Sequence, residues 1–185
     1  MVMKPKKRGG AYAMGSAINL GGGVYGTIGS PTSSSATSFY TANYGVISVN
    51  QTVKAGSTTI GKVDRVCFDS NSDVSRVNMQ SYGNTVSHSL YSLSSSVSSP
   101  VSVSAKTAYS GTVIGNVRQV SATVSNPAGG TMTDMIVTNM QTQSGDSGAC
   151  LYKSGLYGDE AVGILSFNGT SGGQAITVFS KISNI

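Results

Sequence analysis

The sequence contains no tryptophan, one histidine and two cysteines, and only 10% of its 185 residues are charged. With His88 as the only histidine, a zinc site built from two histidines is excluded. The glycines at 21–23 lack the Lys-Ser/Thr ending of a phosphate-binding loop. We therefore expect no cofactor and no metal. Cys67 and Cys150 are too few for a disulfide framework, which leaves free thiols or one bridge between the two halves open.

Long apolar runs are also missing. No run approaches the length of about 18 apolar residues that a transmembrane helix needs, so no membrane span is predicted. There is no sustained 3.6-residue apolar period and no heptad pattern, which argues against a helical architecture. The 24 glycines, the abundant serine and threonine, and valine as the main apolar type favour strands and turns. Several short alternating segments at regular spacing predict an all-β barrel or sandwich.

The net charge of +5 comes mostly from the first eight residues. Removing the four basic residues of that segment from the 12 in the chain leaves eight basic residues against seven acidic ones. A nearly neutral body has little attraction for phosphates, so we expect no nucleic-acid binding by the folded part. The removed residues are Lys4, Lys6, Lys7 and Arg8.

Composition divides the chain into four parts. Residues 1–8 are expected to form a disordered basic tail, and residues 9–91 a first β unit. Residues 92–104 are rich in serine and contain Pro100, a composition typical of a linker. Residues 105–185 then form a second β unit, which carries the most informative motif of the sequence.

That motif is Gly-Asp-Ser-Gly at residues 145–148. The two glycines allow backbone angles that a side chain would forbid. Such a turn can present the Ser147 hydroxyl while the amides of Gly145 and Ser147 point to one spot, which is the geometry of an oxyanion hole beside a nucleophile. Asp146, if buried, needs a cationic partner or hydrogen-bond donors. An ordinary polar turn is the alternative, since this chain is rich in glycine and serine.

The motif resembles the nucleophile loop of the trypsin-like (chymotrypsin-fold) serine peptidases. Downstream, Gly-Ile-Leu-Ser-Phe-Asn at 163–168 is similar to that family's Gly-Ile-Val-Ser-Trp-Gly strand, and residues 176–184 resemble its closing strand and last helix. Upstream, residues 39–46 resemble the segment of the catalytic histidine, and residues 70–77 that of the catalytic aspartate. The resemblance implies two antiparallel six-stranded β-barrels, of the compact bacterial type, with the site at their seam.

The resemblance implies Ser147 as the nucleophile, Asp73 as the triad acid, and Gly145 with Ser147 as the oxyanion hole. At the position of the histidine, however, the sequence has Tyr44. Neutral tyrosine, with an ordinary pKa of about 10, is not a base that takes a serine proton near neutral pH. The resemblance therefore predicts a peptidase fold with incomplete catalytic machinery.

The resemblance also implies a specificity pocket without a carboxylate at its base. Its neutral lining predicts a preference for a small or medium residue rather than for Lys or Arg. The segment 166–168 could pair with an extended peptide by strand addition. The implied substrate-binding residues are Gln141, Thr142, Ser166, Phe167, Asn168 and Gly173, with Gly172 beside the last.

Three functions follow from these patterns. The first is an inactive or weakened peptidase homologue that binds an extended peptide or a protein. The second is an active serine endopeptidase. Its base would be an unusual group, with His88 as the one imidazole that could serve, or Tyr44 has replaced the histidine of an active enzyme. The third is a structural β-protein. A peptide or protein is the expected partner, and the resemblance slightly favours an extracellular location.

Overall fold

The computed structural model describes residues 9–185, so the expected basic tail at 1–8 lies outside the described residues. Alternating apolar and polar side chains produce strands almost throughout, and glycines with positive φ angles end many of them. No helix in this part of the chain is long and apolar enough to cross a membrane. The first unit contains β1 Ala11–Ala13, β2 Ala17–Gly21, β3 Val24–Thr27, β4 Ser38–Ala42, β5 Thr52–Ala55, β6 Thr58–Asp69, β7 Ser72–Asn78, a 3₁₀ turn at Gln80–Tyr82 and β8 Thr85–Ser87.

The first barrel is a six-stranded antiparallel sheet in the order β3-β2-β5-β6-β7-β4. The chain that follows β3 closes it against β4, since the Gly29 amide donates to the Tyr40 carbonyl and the Tyr40 amide to the Ser30 carbonyl. β1 and β8 form a small parallel pair beside this sheet. The buried side chains fill the interior, with Phe39 fully enclosed.

The second barrel follows with β9 Leu90–Ser92, β10 Ser102–Lys106, β11 Thr112–Ser125, β12 Thr131–Thr138, β13 Cys150–Ser154, β14 Asp159–Ser171, β15 Gln174–Lys181 and a 3₁₀ turn at Ile182–Asn184. β13 pairs with both β10 and β14, so six strands close on themselves in the order β13-β10-β11-β12-β15-β14. β9 adds to this barrel in parallel beside β14. The two six-stranded barrels are the architecture that the sequence predicted.

The serine-rich segment at 92–104, which the sequence predicted as a linker between the barrels, joins two strands of the second sheet. Leu90–Ser92 and Ser102–Lys106 are both strands of the second sheet. Only residues 93–101 therefore connect the last strand before the segment to the first strand after it. Serine content predicted the linker, but backbone pairing decides its limits.

The two barrels meet along a seam that carries the nucleophile loop. This loop, residues 139–149, connects β12 to β13 and belongs to the second barrel. On the other side, Asp73 at the start of β7 lies against the second barrel, because its amide donates to the Ser180 hydroxyl of β15 at 3.0 Å. The fold thus brings residues that are far apart in sequence to a single cleft.

Candidate functional site

The nucleophile loop is a tight turn that needs both of its glycines. Gly145 has a φ of +93° and Gly148 a φ of +96°, angles that side-chain-bearing residues rarely adopt. A Cβ on Gly148 would lie 2.1 Å from Thr41 Oγ1 and 2.6 Å from the Thr27 carbonyl oxygen. The fold therefore requires glycine here for both its backbone angle and its close approach to the first barrel.

Most amides of this loop are used inside the protein. Asp146 donates to the Gln143 carbonyl, Gly148 to the Leu165 carbonyl and Ala149 to the Asp146 carbonyl, at 2.7–3.1 Å. The amides of Gly145 and Ser147 donate to no group within the described residues. These are the two amides that the sequence assigned to an oxyanion hole, and the turn leaves both of them open.

Thr27 ties the loop to the first barrel. Its amide donates to the Ser147 carbonyl at 2.9 Å, and its hydroxyl donates to the Gly145 carbonyl at 3.0 Å. Thr27 is fully buried. Sequence reasoning missed this residue because a threonine at the end of a strand carries no signal of a contact 118 residues away.

Asp73 is buried and held by hydrogen-bond donors from both barrels. Its Oδ1 accepts from the amides of Asn43 at 3.1 Å and Tyr44 at 2.9 Å, and its Oδ2 accepts from the Ser166 hydroxyl at 2.5 Å. Burial raises the pKa of this carboxyl above its ordinary value, and the three donors partly oppose that shift. No cation pairs with it in the described residues.

Tyr44 directs its hydroxyl toward β3 and the nucleophile loop. The hydroxyl lies 3.0 Å from the Tyr25 carbonyl oxygen and 3.2 Å from the Ser147 carbonyl oxygen, and its proton is shared between these two acceptors. Burial is the main reason that the pKa of this phenol is raised above 10. A phenol that donates its proton and resists ionisation cannot act as the general base.

The backbone at Tyr44 is itself unusual. Its φ is +62°, and Gly45 follows with a φ of +71°. A left-handed conformation at an aromatic residue is uncommon, and it costs on the order of 1–3 kcal/mol, so it persists only where restraints from the surroundings hold it. The bond from the Tyr44 amide to Asp73 is one such restraint.

Asp146 is fully buried, and hydrogen-bond donors rather than a cation surround it. Its Oδ1 accepts from the amides of Tyr109 at 2.9 Å and Ser110 at 3.2 Å. Its Oδ2 accepts from the Ser110 hydroxyl at 2.5 Å and the Gln143 amide at 2.9 Å. The donors that the sequence required for a buried Asp146 are thus present; three come from the turn between β10 and β11 and one from Gln143 of the nucleophile loop itself.

An open cleft of about 360 Å³ lies in front of the loop, and no charged side chain lines it. Of the expected binding residues, the structure brings Ser166, Phe167 and Asn168 to this cleft together with Gly145, Ser147 and Tyr44. The remaining wall comes from residues that the sequence did not single out, which are Gly23, Val24, Tyr25, Gln143 and Ser144.

The expected specificity pocket is bridged by side chains. The side-chain Nδ2 of Asn168 donates to the Thr142 carbonyl at 2.6 Å, and the Thr142 and Thr177 hydroxyls are 3.0 Å apart. Gln141 and Thr142 are absent from the lining of the open cleft. The structure places Gly172 and Gly173 at the exposed tip of the β14–β15 hairpin, where they form the turn between Ser171 and Gln174 rather than the back of a pocket.

His88 does not line the cleft. It is half-buried between β8 and β9, and its Nδ1 accepts from the Leu90 amide at 3.2 Å. Leu90 pairs with Asp159, the first residue of β14, and Ser166 follows seven residues later in that strand. Seven residues of strand at about 3.3 Å each separate those two positions by roughly 20 Å. The structure therefore offers no support for His88 as a relocated base.

Both cysteines are free thiols. Cys150 is buried in β13, and burial raises the pKa of its thiol to about 12. Cys67 is half-buried in β6 of the first barrel. Cys67 and Cys150 therefore form no disulfide bridge between the two halves.

Solved structures of bacterial serine proteases share this fold. Protease A of Thermobifida fusca has a TM-score of 0.72 and 26% identity, covering 92% of both chains. A glutamic acid-specific serine protease, described as using a histidine triad in substrate binding, has a TM-score of 0.72 and 25% identity, covering 92% of this chain and 94% of its own. The Nocardiopsis protease has a TM-score of 0.71 and 24% identity, covering 92% of this chain and 93% of its own.

No protein-family model matches the sequence, and no curated protein sequence is significantly similar to it. The likeness is thus one of structure over nearly the whole chain. It confirms the predicted resemblance to the chymotrypsin-fold bacterial serine proteases and the predicted double β-barrel.

Proposed function

We propose that this chain, whose fold is that of the trypsin-like serine proteases, binds an extended peptide in the seam cleft and does not hydrolyse it. One observation carries the proposal: Tyr44 stands where the resemblance requires a histidine, and its hydroxyl is occupied as a donor to Tyr25 and Ser147. Without a base, the Ser147 proton has no acceptor of suitable pKa in the cleft. Loss of a triad member typically leaves only roughly 10³–10⁴-fold catalysis over water.

The second barrel supplies an edge for peptide binding. Residues 166–168 follow the part of β14 that pairs with β13, which ends at Ile164. On their other side Phe167 and Asn168 pair with β15. One edge of this segment therefore faces the cleft without a partner strand among the described residues, and an extended peptide can add to it through main-chain hydrogen bonds.

The bridge between Asn168 and Thr142 supports a preference for small side chains. It crosses the region where the resemblance implies a specificity pocket. A larger side chain at this position would have to displace the Asn168 side chain from the Thr142 carbonyl. Glycine, alanine or serine beside Ser147 avoids that displacement.

A second candidate is a slow serine endopeptidase. It is favoured by the position of Asp73, whose carboxylate accepts from the backbone amide of residue 44, where the resemblance implies the triad base. In that case a weak or external base would act with Ser147, and turnover would depend on the Ser147 hydroxyl.

Binding and cleavage are separable in one experiment. An extended, neutral peptide is titrated into the isotopically labelled protein, while mass spectrometry follows the peptide. The proposal expects shifts at the amides of residues 166–168 and an intact peptide. Shifts with steady, Ser147-dependent cleavage would favour the endopeptidase, and the absence of any shift would refute peptide binding in this cleft.

A further inference from the structure

The open amides of the nucleophile loop are donors without an acceptor. Gly145 and Ser147 both line the cleft, and neither amide has a partner in residues 9–185. The amides of the neighbouring residues Asp146, Gly148 and Ala149 all donate to carbonyl oxygens within the fold. Half-buried donors left open in this way favour a ligand that brings an acceptor.

The backbone geometry of the turn favours an anionic acceptor. Gly145 has a positive φ, and the turn leaves the amides on either side of Asp146 without an acceptor; open backbone amides in such turns bind anions. No charged side chain lines the cleft. The nearby carboxylates of Asp73 and Asp146 lie outside the lining, and each accepts several hydrogen bonds within the fold. The charges of these two carboxylates disfavour an anion at Tyr44, which lines the cleft. The binding of a negative charge therefore rests on direct hydrogen bonds from the open amides of Gly145 and Ser147.

Tyr44 limits how far a bound chain can continue. A peptide that passed Ser147 toward the first barrel would need the exposed edge of β3. On that edge the Tyr25 carbonyl already accepts from the Tyr44 hydroxyl, and the Thr27 amide already donates to Ser147. Backbone groups two residues apart on a strand face the same side, so these two are the groups that a continuing chain would use.

We propose that the cleft binds the free C-terminus of a peptide. Its α-carboxylate accepts from the amides of Gly145 and Ser147, and the preceding residues pair with residues 166–168. The last side chain is small, because the Asn168–Thr142 bridge closes the space behind it. The inference deepens the proposed peptide binding and rests on it, and it names the end of the chain as the recognised chemistry.

Three probes with the same core test this inference by calorimetry. They are acetyl-Ala-Ala-Val-Ala with a free carboxylate, the same peptide as its C-terminal amide, and the peptide extended by Ala-Ala-amide. A charged acceptor makes roughly twice as strong a hydrogen bond as a neutral one, so we expect the carboxylate to bind about ten-fold or more tightly than either other probe. Equal binding of all three would overturn C-terminus recognition and leave peptide binding standing. Binding of none would overturn both.

Two variants separate the parts of the site. Ser147→Ala keeps both open amides, so the preference for the carboxylate should persist. Tyr44→Phe removes the hydroxyl and frees the Tyr25 carbonyl, so the extended probe should gain affinity while the carboxylate probe changes little. If the affinity for the extended probe does not rise in Tyr44→Phe while circular dichroism shows that the variant is folded, Tyr44 does not limit the length of the bound peptide. The inference is then wrong.

Discussion

The Tyr44 hydroxyl lies 3.0 Å from the Tyr25 carbonyl oxygen, while the Tyr44 amide donates to Asp73 at 2.9 Å. Asp73 therefore holds the backbone of residue 44, but the side chain of that residue is bonded to the edge of the first barrel. Asp73, which the resemblance implies is the triad acid, thus accepts from the backbone of residue 44 and makes no hydrogen bond to its side chain. This relationship determines what each change at the site should do.

Replacing Tyr44 by histidine supplies the missing base. We expect Tyr44→His to hydrolyse a small activated ester faster than the unmodified protein, by roughly 10²–10⁴-fold if general-base catalysis is restored in full. Asp73→Asn in the same background should remove most of the gain, because the imidazole loses the group that orients it. The measurement is the initial rate, with Ser147→Ala in the Tyr44→His background as the blank. A folded Tyr44→His protein without any gain would show that the left-handed backbone at residue 44 misplaces the ring.

Gly148 should be among the least replaceable residues of the loop. Gly148→Ala combines a left-handed backbone with contacts of 2.1 Å and 2.6 Å at the first barrel, so we expect a loss of about 2–5 kcal/mol in the free energy of unfolding. Gly129→Ala is the matched control, because Gly129 has a φ of +107° and open space around it. Its loss should be about 1–2 kcal/mol. Equal losses in urea denaturation would contradict the close approach of the loop to the first barrel.

Thr27 is expected to stabilise the seam through its hydroxyl. Thr27→Val keeps the volume and removes the bond to the Gly145 carbonyl, and it also leaves the Ala108 amide without its acceptor. Unpaired buried groups cost about 1–3 kcal/mol, so unfolding free energy and peptide affinity should both fall. Thr58→Val, at an exposed strand position, should change neither. A Thr27→Val protein as stable as the unmodified one would show that the Thr27 hydroxyl does not stabilise the seam.

Two carboxyls should respond to pH in opposite directions. Hydrogen bonds from Lys181, Asn184 and Ser121 lower the pKa of Asp134 to about 2 from 3.8, so its contribution to stability is present above 3.8 and is lost as pH falls toward 2. Burial raises the pKa of Asp73, so its contribution is present below 3.8 and is lost as pH rises through its folded pKa. Carbon-detected NMR titration should give Asp73 the higher value. The reverse order would contradict the environments described for both.

Much of the fold could be predicted from the sequence because it depends on local patterns. Alternating strands and frequent turns predicted an all-β chain, and the ordered motifs predicted two barrels with Ser147 between them. The Gly-Asp-Ser-Gly motif predicted an oxyanion hole at Gly145 and Ser147; both amides are without a partner in the described residues, and the oxyanion hole itself stays a prediction.

The rest of the site depends on contacts between distant segments. Nothing near Thr27 or Ser110 indicates that they hold Gly145 and Asp146. The hairpin register places Gly173 at an exposed turn, which a segment-by-segment resemblance cannot show. The direction of the Tyr44 hydroxyl likewise depends on β3, which lies 19 residues earlier in the chain.

The most direct test of the central claim is the rate at which a serine-directed phosphonate labels the unmodified protein, compared with Ser147→Ala. A nucleophile without a base attacks slowly, so we predict that mass spectrometry finds no difference between the two proteins on the time scale on which an active serine peptidase is fully labelled. Rapid labelling that depends on Ser147 would contradict the account, because it would show that a base other than a histidine at position 44 activates the serine.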